Sequence, residues 1–420
     1  MSTHLAEHRA SFDDRVRFLT ELARRLHLVG VAASRLEGAV RSVAQSIGVR
    51  AEIWSTPTGL LLSLSESAVP HATQETRVLR LELGDIQLGA LAKLDAIAEQ
   101  VVKGTMSLEE AWAAMHALDR PFDTRQQLLT VGAFGLAAAA VASLLRTAWI
   151  DVSVSAVIGL LIGWLAILSG ARPHFAAAFE AVAALVATVL ATAFAHFIAP
   201  LSLQTVIVAS LIVLMPGLSL TTAVSELASN QLVTGTTRFA GAMTVLLKLT
   251  FGSVAASHIM LALGWAPLPG TPEALPPWVE LIGMVAAAAS FAVLFRASRR
   301  DIPLVMGSAI LGYVLTRLGS LWIGPVATST FAGSVFFASL VMAALANVYG
   351  RWKQRPGQLV RVPGIMLLVP GSVGFRALSF VMERDYTLGF DTLVAVLSAI
   401  LALVAGTLFG SLLIPPRRYL

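Results

Sequence analysis

The sequence contains no cysteine, and charged residues make up only 13% of its 420 positions. Without cysteine the chain cannot hold a disulfide framework, a cysteine metal site or a thiol nucleophile. Soluble proteins average roughly 25% charged residues, so the low charge excludes a single soluble globule, a disordered chain and a nucleic-acid binder. A Gly-rich phosphate loop, a His-Glu metal spacing and a nucleophile elbow are also missing. We therefore expect no metal, no cofactor and no enzymatic activity.

Apolar residues make up 56% of the chain, and the charges are unevenly distributed. Residues 1–127 carry 14 basic and 16 acidic side chains, whereas residues 128–420 carry 16 basic and 9 acidic ones. This division predicts a soluble N-terminal domain over 1–127, followed by a membrane part. The first 30 residues are rich in charge and have no apolar run of a signal peptide, so we expect the chain to begin in the cytoplasm.

The N-terminal domain is predicted to be a small α+β unit. Apolar residues recur at helical spacing before Gly30 and again before Gly48, and β-rich runs follow. Ser107-Leu108-Glu109-Glu110 reads as a capping box at the start of a helix. The predicted order is two helices, three strands and two helices. Beyond the two N-terminal helices, the expected bounds are Ala51–Ser55, Leu60–Leu64, Thr76–Leu83, Leu88–Lys103 and Ser107–Leu118.

The membrane part is predicted to be a polytopic α-helical bundle. A bilayer core about 30 Å thick needs roughly 20 apolar residues of helix. Ten stretches from Leu128 onward meet this need: 128–146, 152–170, 175–197, 202–225, 238–263, 278–296, 302–320, 329–349, 361–381 and 390–414. The loops that this count places in the cytoplasm carry 11 Lys and Arg, and the outer loops carry 3. This bias follows the positive-inside rule and predicts that both termini are cytoplasmic.

The membrane part also contains a weak internal repeat at an offset of 154 residues. Pro216-Gly217 falls on Pro370-Gly371, and apolar runs precede both pairs. Because each half has five spans, the second half should be inverted in the membrane, as in many secondary transporters. The expected division is therefore a first repeat over 128–263, an outer loop over 264–277 and a second repeat over 278–420.

The two Pro-Gly pairs predict broken helices near the middle of spans 4 and 9. Proline removes a backbone hydrogen bond, and the freed groups are tolerated in a membrane only where they line a protein-buried or wet cavity. Hydroxyl and charged side chains follow each break at helical spacing. We therefore predict a substrate site formed by residues of both spans: Pro216, Gly217, Ser219, Thr222, Ser225, Pro370, Gly371, Ser372, Arg376 and Ser379.

Several ionisable side chains fall within predicted spans, where they are costly and usually functional. Arg376 needs an anionic partner, and the sequence leaves open a substrate carboxylate, Glu226 or Glu383. Glu226 and Glu180 are the candidate proton-coupling groups. Lys248 is expected to pair with a carboxylate.

The chain resembles the threonine/serine exporter family over nearly its whole length. The resemblance rests on the Pro216-Gly217 span, on the fused second half and on N-terminal motifs such as Leu26–Gly30, Ser34–Glu37, Ser55–Leu60 and Leu94–Ile97 followed by Ser107–Ala111. It implies an exporter of small hydroxylated amino acids that is driven by the proton gradient across a bacterial inner membrane. The partners implied are threonine or serine, protons, the lipid bilayer and a second copy of the chain in a homo-oligomer.

Three functions remain open from the sequence. An exporter of threonine and serine would need a cationic or dipolar partner for the substrate carboxylate and an acceptor for its ammonium group. An exporter of a dicarboxylate such as succinate would need two positive centres. A membrane-anchored sensor or enzyme would act through the N-terminal domain, although an anchor needs no internal repeat.

Overall fold

The computed structural model describes residues 11–66, 74–82, 84–119, 123–170, 172–268, 273, 275–323, 327–368 and 371–416. The predicted site residue Pro370 lies outside these residues. Residues 11–119 are called the head below. The rest of the described chain consists mostly of apolar helices, eight of them long enough to cross a membrane, so the protein is a polytopic helical membrane protein.

The head contains its elements in the order expected from the sequence. They are α1 (Phe12–Leu28), α2 (Ala33–Ser46), β1 (Val49–Thr56), β2 (Gly59–Glu66), β3 (Glu75–Arg80), α3 (Leu88–Val102) and α4 (Leu108–His116). The capping box is confirmed, because the Ser107 hydroxyl accepts the Glu110 backbone N–H while the Glu110 carboxylate accepts the Ser107 backbone N–H. These two bonds satisfy donors that have no partner within the helix.

The three strands form an antiparallel sheet in the order β1-β2-β3. β1 and β2 are joined by a tight turn in which Thr56 pairs with Gly59, and this turn sets Ile53 opposite Leu62. Side chains of β1 alternate between buried and exposed, as expected of a strand with one covered face. The covered face packs against the helices in a core that includes Leu22, Leu26, Leu36 and Leu94.

Twelve further α-helices follow the head in the described chain. They are α5 (Thr124–Leu144), α6 (Trp149–Gly170), α7 (Pro173–Phe197), α8 (Leu203–Leu211), α9 (Gly217–Ala228), α10 (Leu232–Ala262), α11 (Trp278–Leu294), α12 (Ile302–Ile323), α13 (Ala327–Lys353), α14 (Gln358–Met366), α15 (Gly371–Met382) and α16 (Tyr386–Leu413). A short 3₁₀ turn, Ile212–Leu214, follows α8.

Eight segments of the described chain are long and apolar enough to cross a bilayer, with α14 and α15 taken together as one. The bent pair α8–α9 makes a ninth if it counts as a single span. The remaining expected span, 278–296, corresponds to α11, which has 17 residues. At 1.5 Å per residue α11 is about 25 Å long, shorter than the bilayer core. Ten spans therefore remain a prediction.

Small residues let the long helices pack closely. A Cβ atom added to Gly159 of α6 would lie 2.7 Å from the Ala138 side chain of α5. One added to Gly252 of α10 would lie 2.2 Å from the Ala181 carbonyl oxygen of α7, and one added to Gly410 of α16 would lie 2.5 Å from the Leu340 carbonyl oxygen of α13. Close backbone approach through glycine is typical of membrane helices, where van der Waals packing drives association.

Candidate functional site

The helix expected to break at Pro216 does so. α8 and α9 meet at an angle of 58°, with the 3₁₀ turn and Met215-Pro216 between them. Pro216 has no N–H to continue a helix, and its ring would clash with the preceding turn. α9 therefore begins afresh at Gly217.

A cavity of about 1190 Å³ lies on the side of this break that faces the head. Its walls come from the break itself, from α2 and two loops of the head, and from α5, α6, α7, α9, α10, α11, α14 and α16. Pro216, Ser219, Thr222 and Ser225 line it, together with Glu226 and Glu180. The structure thus brings the first-repeat part of the predicted site into one cavity, except for Gly217, which does not line it.

The hydroxyl groups in this cavity can accept hydrogen bonds. Thr222 Oγ1 donates to the Leu218 carbonyl at 2.8 Å, so its proton is used within α9 while its oxygen lone pairs stay available. Ser219 and Ser225 lie one turn to either side of Thr222, on the same cavity wall. Three hydroxyls in a row suit a small polar solute.

Glu226 forms a buried ion pair with Arg238 of α10. Arg238 Nε donates to Glu226 Oε2 at 2.9 Å, and the two side chains are only 3% and 8% exposed. The backbone N–H of Ala33, in α2 of the head, donates to Glu226 Oε1 at 3.4 Å. Glu226 therefore contacts both the helix bundle, through Arg238, and the head, through Ala33.

Lys248 pairs with Glu180, which settles one of the pairings that the sequence left open. Lys248 Nζ lies 3.4 Å from Glu180 Oε2 and donates to the Ala177 carbonyl at 2.8 Å. Both side chains are more exposed than the Glu226 pair, at 35% for Lys248 and 22% for Glu180. The ion pair links α7 to α10 beside the cavity.

The second-repeat part of the predicted site lies elsewhere. Gly371, Ser372, Arg376 and Ser379, all on α15, do not line the head-side cavity. Within the described residues Arg376 makes no ion pair, and its buried Nε has no hydrogen-bond partner. Glu383 is exposed just beyond the end of α15, and Glu226 is held by Arg238, so neither carboxylate is paired with Arg376.

The starts of α9 and α15 nevertheless touch. A Cβ atom added to Gly371 would lie 3.1 Å from both the Cα and the N of Gly217. Gly217 and Gly371 are therefore brought together back to back at the start of α9 and α15, as the matching Pro-Gly positions suggested. Residues of α9 line the cavity, whereas the described residues of α15 do not.

The head is docked onto the helix bundle by backbone hydrogen bonds. The N–H groups of Leu88 and Gly89, at the start of α3, donate to the carbonyls of Phe295 and Arg296, at the end of α11. Each helix end leaves such groups without partners in its own helix, so the two ends satisfy one another. Thr234 Oγ1 of α10 also donates to the Ser55 carbonyl of β1.

Besides Arg238 and Arg296, the cavity is lined by two further arginines that sequence reasoning gave no role. Arg35 belongs to α2 of the head, and Arg361 belongs to α14. The positive charge of Arg361, together with burial, lowers the pKa of Arg35 well below its usual value. Arg361 was placed at a loop boundary because the apolar run begins there, but α14 starts at Gln358 and carries Arg361 in its first turn. Placing the start of the predicted helix three residues earlier would have put Arg361 within the helix.

No group of three metal-binding side chains occurs among the residues that the structure describes. A family model described as "Putative threonine/serine exporter" matches residues 17–260, and one described as "Threonine/Serine exporter, ThrE" matches residues 280–413. No solved structure matches the chain.

Curated relatives come from fungi and from a bacterium. "Pheromone-regulated membrane protein 10" of Eremothecium gossypii is 24% identical over 88% of this chain and 50% of its own length. The protein of the same name from Saccharomyces cerevisiae is 24% identical over 87% of this chain and 47% of its own. "Probable threonine/serine exporter" of Mycobacterium tuberculosis is 28% identical over 78% of this chain and 63% of its own. The chain spans about half the length of the yeast relatives that it matches.

Proposed function

The chain belongs to the threonine/serine exporter family, and on that premise we propose that it is a secondary active exporter of threonine and serine. The observation that carries the proposal is the 1190 Å³ cavity at the Pro216 break, lined by Ser219, Thr222 and Ser225 and by Glu226. The hydroxyls match the hydroxyl of either substrate, and the carboxylates supply acceptors for its ammonium group.

The proposed architecture is a pair of five-helix repeats inverted with respect to each other. It is supported by the helix starts, four of which recur at an offset of 154 residues: Thr124 and Trp278, Pro173 and Ala327, Gly217 and Gly371, and Leu232 and Tyr386. Asn230 and Arg384, also 154 residues apart, both have a positive φ in the turn that follows the broken helix. Five spans in each half, with α8–α9 and α14–α15 each counted as one, give the second copy the opposite orientation.

This symmetry gives a route for alternating access. Residues of α9 line the cavity, and the described residues of α15, the counterpart of α9, do not. If the two repeats exchange conformations, the cavity opens beside α15 instead. Arg376, Ser372 and Ser379 then line it, and the buried guanidinium of Arg376 gains access to the solute.

Proton coupling is proposed to act through Glu226. Protonation removes the negative charge that holds Arg238 and weakens the acceptor of the Ala33 N–H, so it would loosen both α10 and the head. Glu180, paired with the more exposed Lys248, is the second coupling candidate. The energy source in this proposal is the inward proton gradient.

The proposed orientation places both termini and the head in the cytoplasm. It is supported by the 11 basic residues of the loops on that side, against 3 on the other. For the membrane itself we propose the inner membrane of a bacterium, on the strength of the mycobacterial relative.

A second candidate function is the export of a dicarboxylate. It is favoured by Arg35 and Arg361, which bring two positive charges to the cavity. A dianion such as succinate would use both, whereas an amino acid would use one carboxylate site and one ammonium site.

The test is flux into proteoliposomes under an imposed pH gradient. Labelled threonine, serine and succinate would be compared for the native chain and for empty liposomes. Gradient-dependent movement of threonine or serine supports the proposal. Movement of succinate alone transfers the assignment to the dicarboxylate function, and movement of none of the three refutes both.

A further inference from the structure

The head and α14 each bring one arginine to the same cavity. Arg35 lies in the first turn of α2, and Arg361 lies in the first turn of α14, one turn after Gln358. Both side chains line the cavity, and so does Gln358. Two arginines from separate parts of the chain thus line one cavity.

The charges that line the cavity leave Arg361 uncompensated. The carboxylates on the wall are Asp85, Glu180 and Glu226. Glu226 is held by Arg238 and Glu180 by Lys248. Asp85 is exposed in the head, and within the described residues no carboxylate lies within ion-pair distance of Arg361.

The two guanidiniums also disfavour each other. The charge of Arg361 is the largest cause of the lowered pKa of Arg35. Like charges that face a partly buried space repel, and an anion placed near both relieves the repulsion. A guanidinium offers a planar fork of N–H donors that matches the two oxygens of a carboxylate.

We propose that Arg35 and Arg361 bind the carboxylate of the transported solute in the head-side cavity. The head then contributes a residue to the substrate site and is more than a cover for it. The hydroxyls of Ser219, Thr222 and Ser225 are left for the rest of the solute. The identity of that solute rests on the proposed function, and the shared chemistry of its two candidates is a small carboxylate.

The experiment is calorimetric titration of the purified full chain with three probes. The probes are threonine, the amino alcohol threoninol, which lacks the carboxylate, and succinate. The variants are Arg35→Gln and Arg361→Gln. Arg299→Gln serves as the matched control, because Arg299 is exposed and does not line the cavity.

We expect the Kd of threonine to rise about tenfold or more in each cavity variant, as for the loss of one charge-assisted hydrogen-bonding partner. The control should bind as the native chain does, and threoninol should bind weakly to all four proteins. Arg361→Lys, which keeps the charge but not the fork, should fall between the native chain and Arg361→Gln.

Unchanged threonine affinity in both cavity variants would overturn the site, and so would native binding of threoninol as tight as that of threonine. Either result would leave threonine transport, and hence the proposed function, standing. Binding of succinate alone, weakened by both variants, would support the site and refute the amino-acid assignment. No binding of any probe by the native chain would also overturn the site. If Arg361→Gln fails to fold, the threonine affinities of Arg35→Gln and Arg361→Lys test the site instead.

Discussion

The two ion pairs at the cavity differ in how deeply their side chains are buried. Glu226 and Arg238 are almost fully buried and tied to the head, whereas Glu180 and Lys248 keep contact with solvent. Breaking a buried ion pair by removing one partner costs about 3–5 kcal/mol, because the other charge is left unpaired. The same loss at an exposed pair costs about 1 kcal/mol or less. When protonation removes the charge of a buried carboxylate, its cationic partner is left unpaired. The free-energy cost of that unpaired charge can drive a conformational change.

Glu226→Gln is expected to abolish proton-driven threonine transport while threonine exchange without a gradient persists. A glutamine keeps the shape of the side chain but cannot lose and regain a proton. The measurement compares gradient-driven flux with counterflow in proteoliposomes. Glu383→Gln, at an exposed position beyond α15, is the matched control and should behave as the native chain.

The unfolding temperature separates an effect of this variant on proton coupling from an effect on folding. Glu226→Gln leaves Arg238 buried without an anion, so the double variant Glu226→Gln/Arg238→Gln should recover most of the lost unfolding temperature. Proton-driven flux that continues unchanged in Glu226→Gln would rule Glu226 out as the coupling group and leave Glu180 as the candidate.

The burial of His27 predicts that the head loses stability as the pH falls. His27 is buried in α1, its Nε2 has no hydrogen-bond partner, and burial lowers its pKa from the ordinary value of 6.5. The folded chain therefore binds this proton less readily than the unfolded chain. The stability contribution is complete above the unfolded pKa and is lost as the pH falls through it towards the lower folded pKa.

The expected result is a larger fall in the unfolding temperature of the native chain than of His27→Gln between about pH 7 and pH 5. His116→Gln, at an exposed position of α4, is the control and should follow the native chain. Equal falls for the native chain and His27→Gln would show that His27 does not titrate on unfolding.

Among the helices, the break at Pro216 shows how much of the structure could be predicted from the sequence. Proline chemistry predicts the bend at Pro216, and hydrophobic periodicity with capping chemistry predicts the order of the head elements and the start of α4. The pairing of Glu226 with Arg238 could not be predicted in the same way. It depends on how α9 packs against α10, and Arg238 reads from the sequence as a loop charge.

Contacts between distant parts of the chain were likewise beyond the sequence. Arg35 and Arg361 lie more than 300 positions apart, and the docking of the head on the helix bundle brings α2 near α14. The short α11 is a different case, because its apolar run continues past Leu294 to Phe295 while its helix ends at Leu294. The hydropathy pattern shows the apolar run but does not indicate where the helix ends.

Gly371→Val is expected to destabilise the protein and to slow transport. The added side chain would meet the backbone of Gly217, and overpacking of this kind costs about 1–3 kcal/mol. Gly241→Val on α10 is the matched control, because nothing lies within 4 Å of a Cβ atom at that position. Thermal unfolding in detergent and threonine flux should both be impaired at position 371 and not at 241. Equal behaviour of the two variants would mean that the breaks need no close contact.

The chain as a whole consists of a helix bundle with the head docked at the mouth of its cavity. Gly89→Ala tests this docking, because the added Cβ would lie 2.6 Å from the Arg296 carbonyl oxygen. We expect the head of this variant to be cut faster in limited proteolysis and threonine affinity to fall, since Arg35 would lose its place. Gly38→Ala in α2 has no atom within 4 Å of its added Cβ and should leave both unchanged. Native proteolysis and affinity in Gly89→Ala would argue that the head contributes nothing to the site.

Alternating exposure of the two breaks is what distinguishes a transporter built on this symmetry from any other membrane protein of the same composition. Because the chain has no cysteine, single cysteines report on one position each. Ser225 lines the cavity, and Ser379, its counterpart 154 residues later, is buried and does not. Thr105→Cys on the head and Thr387→Cys beyond α15, both exposed, serve as surface controls.

The measurement is the labelling of Ser225→Cys and Ser379→Cys with a membrane-impermeant maleimide, applied from either side while threonine is being transported. The account predicts that Ser225→Cys is labelled only from the head side and Ser379→Cys only from the opposite side, and that conditions which speed one reaction slow the other. Labelling of both positions from the same side, or continued transport with Ser379→Cys never labelled, would contradict it.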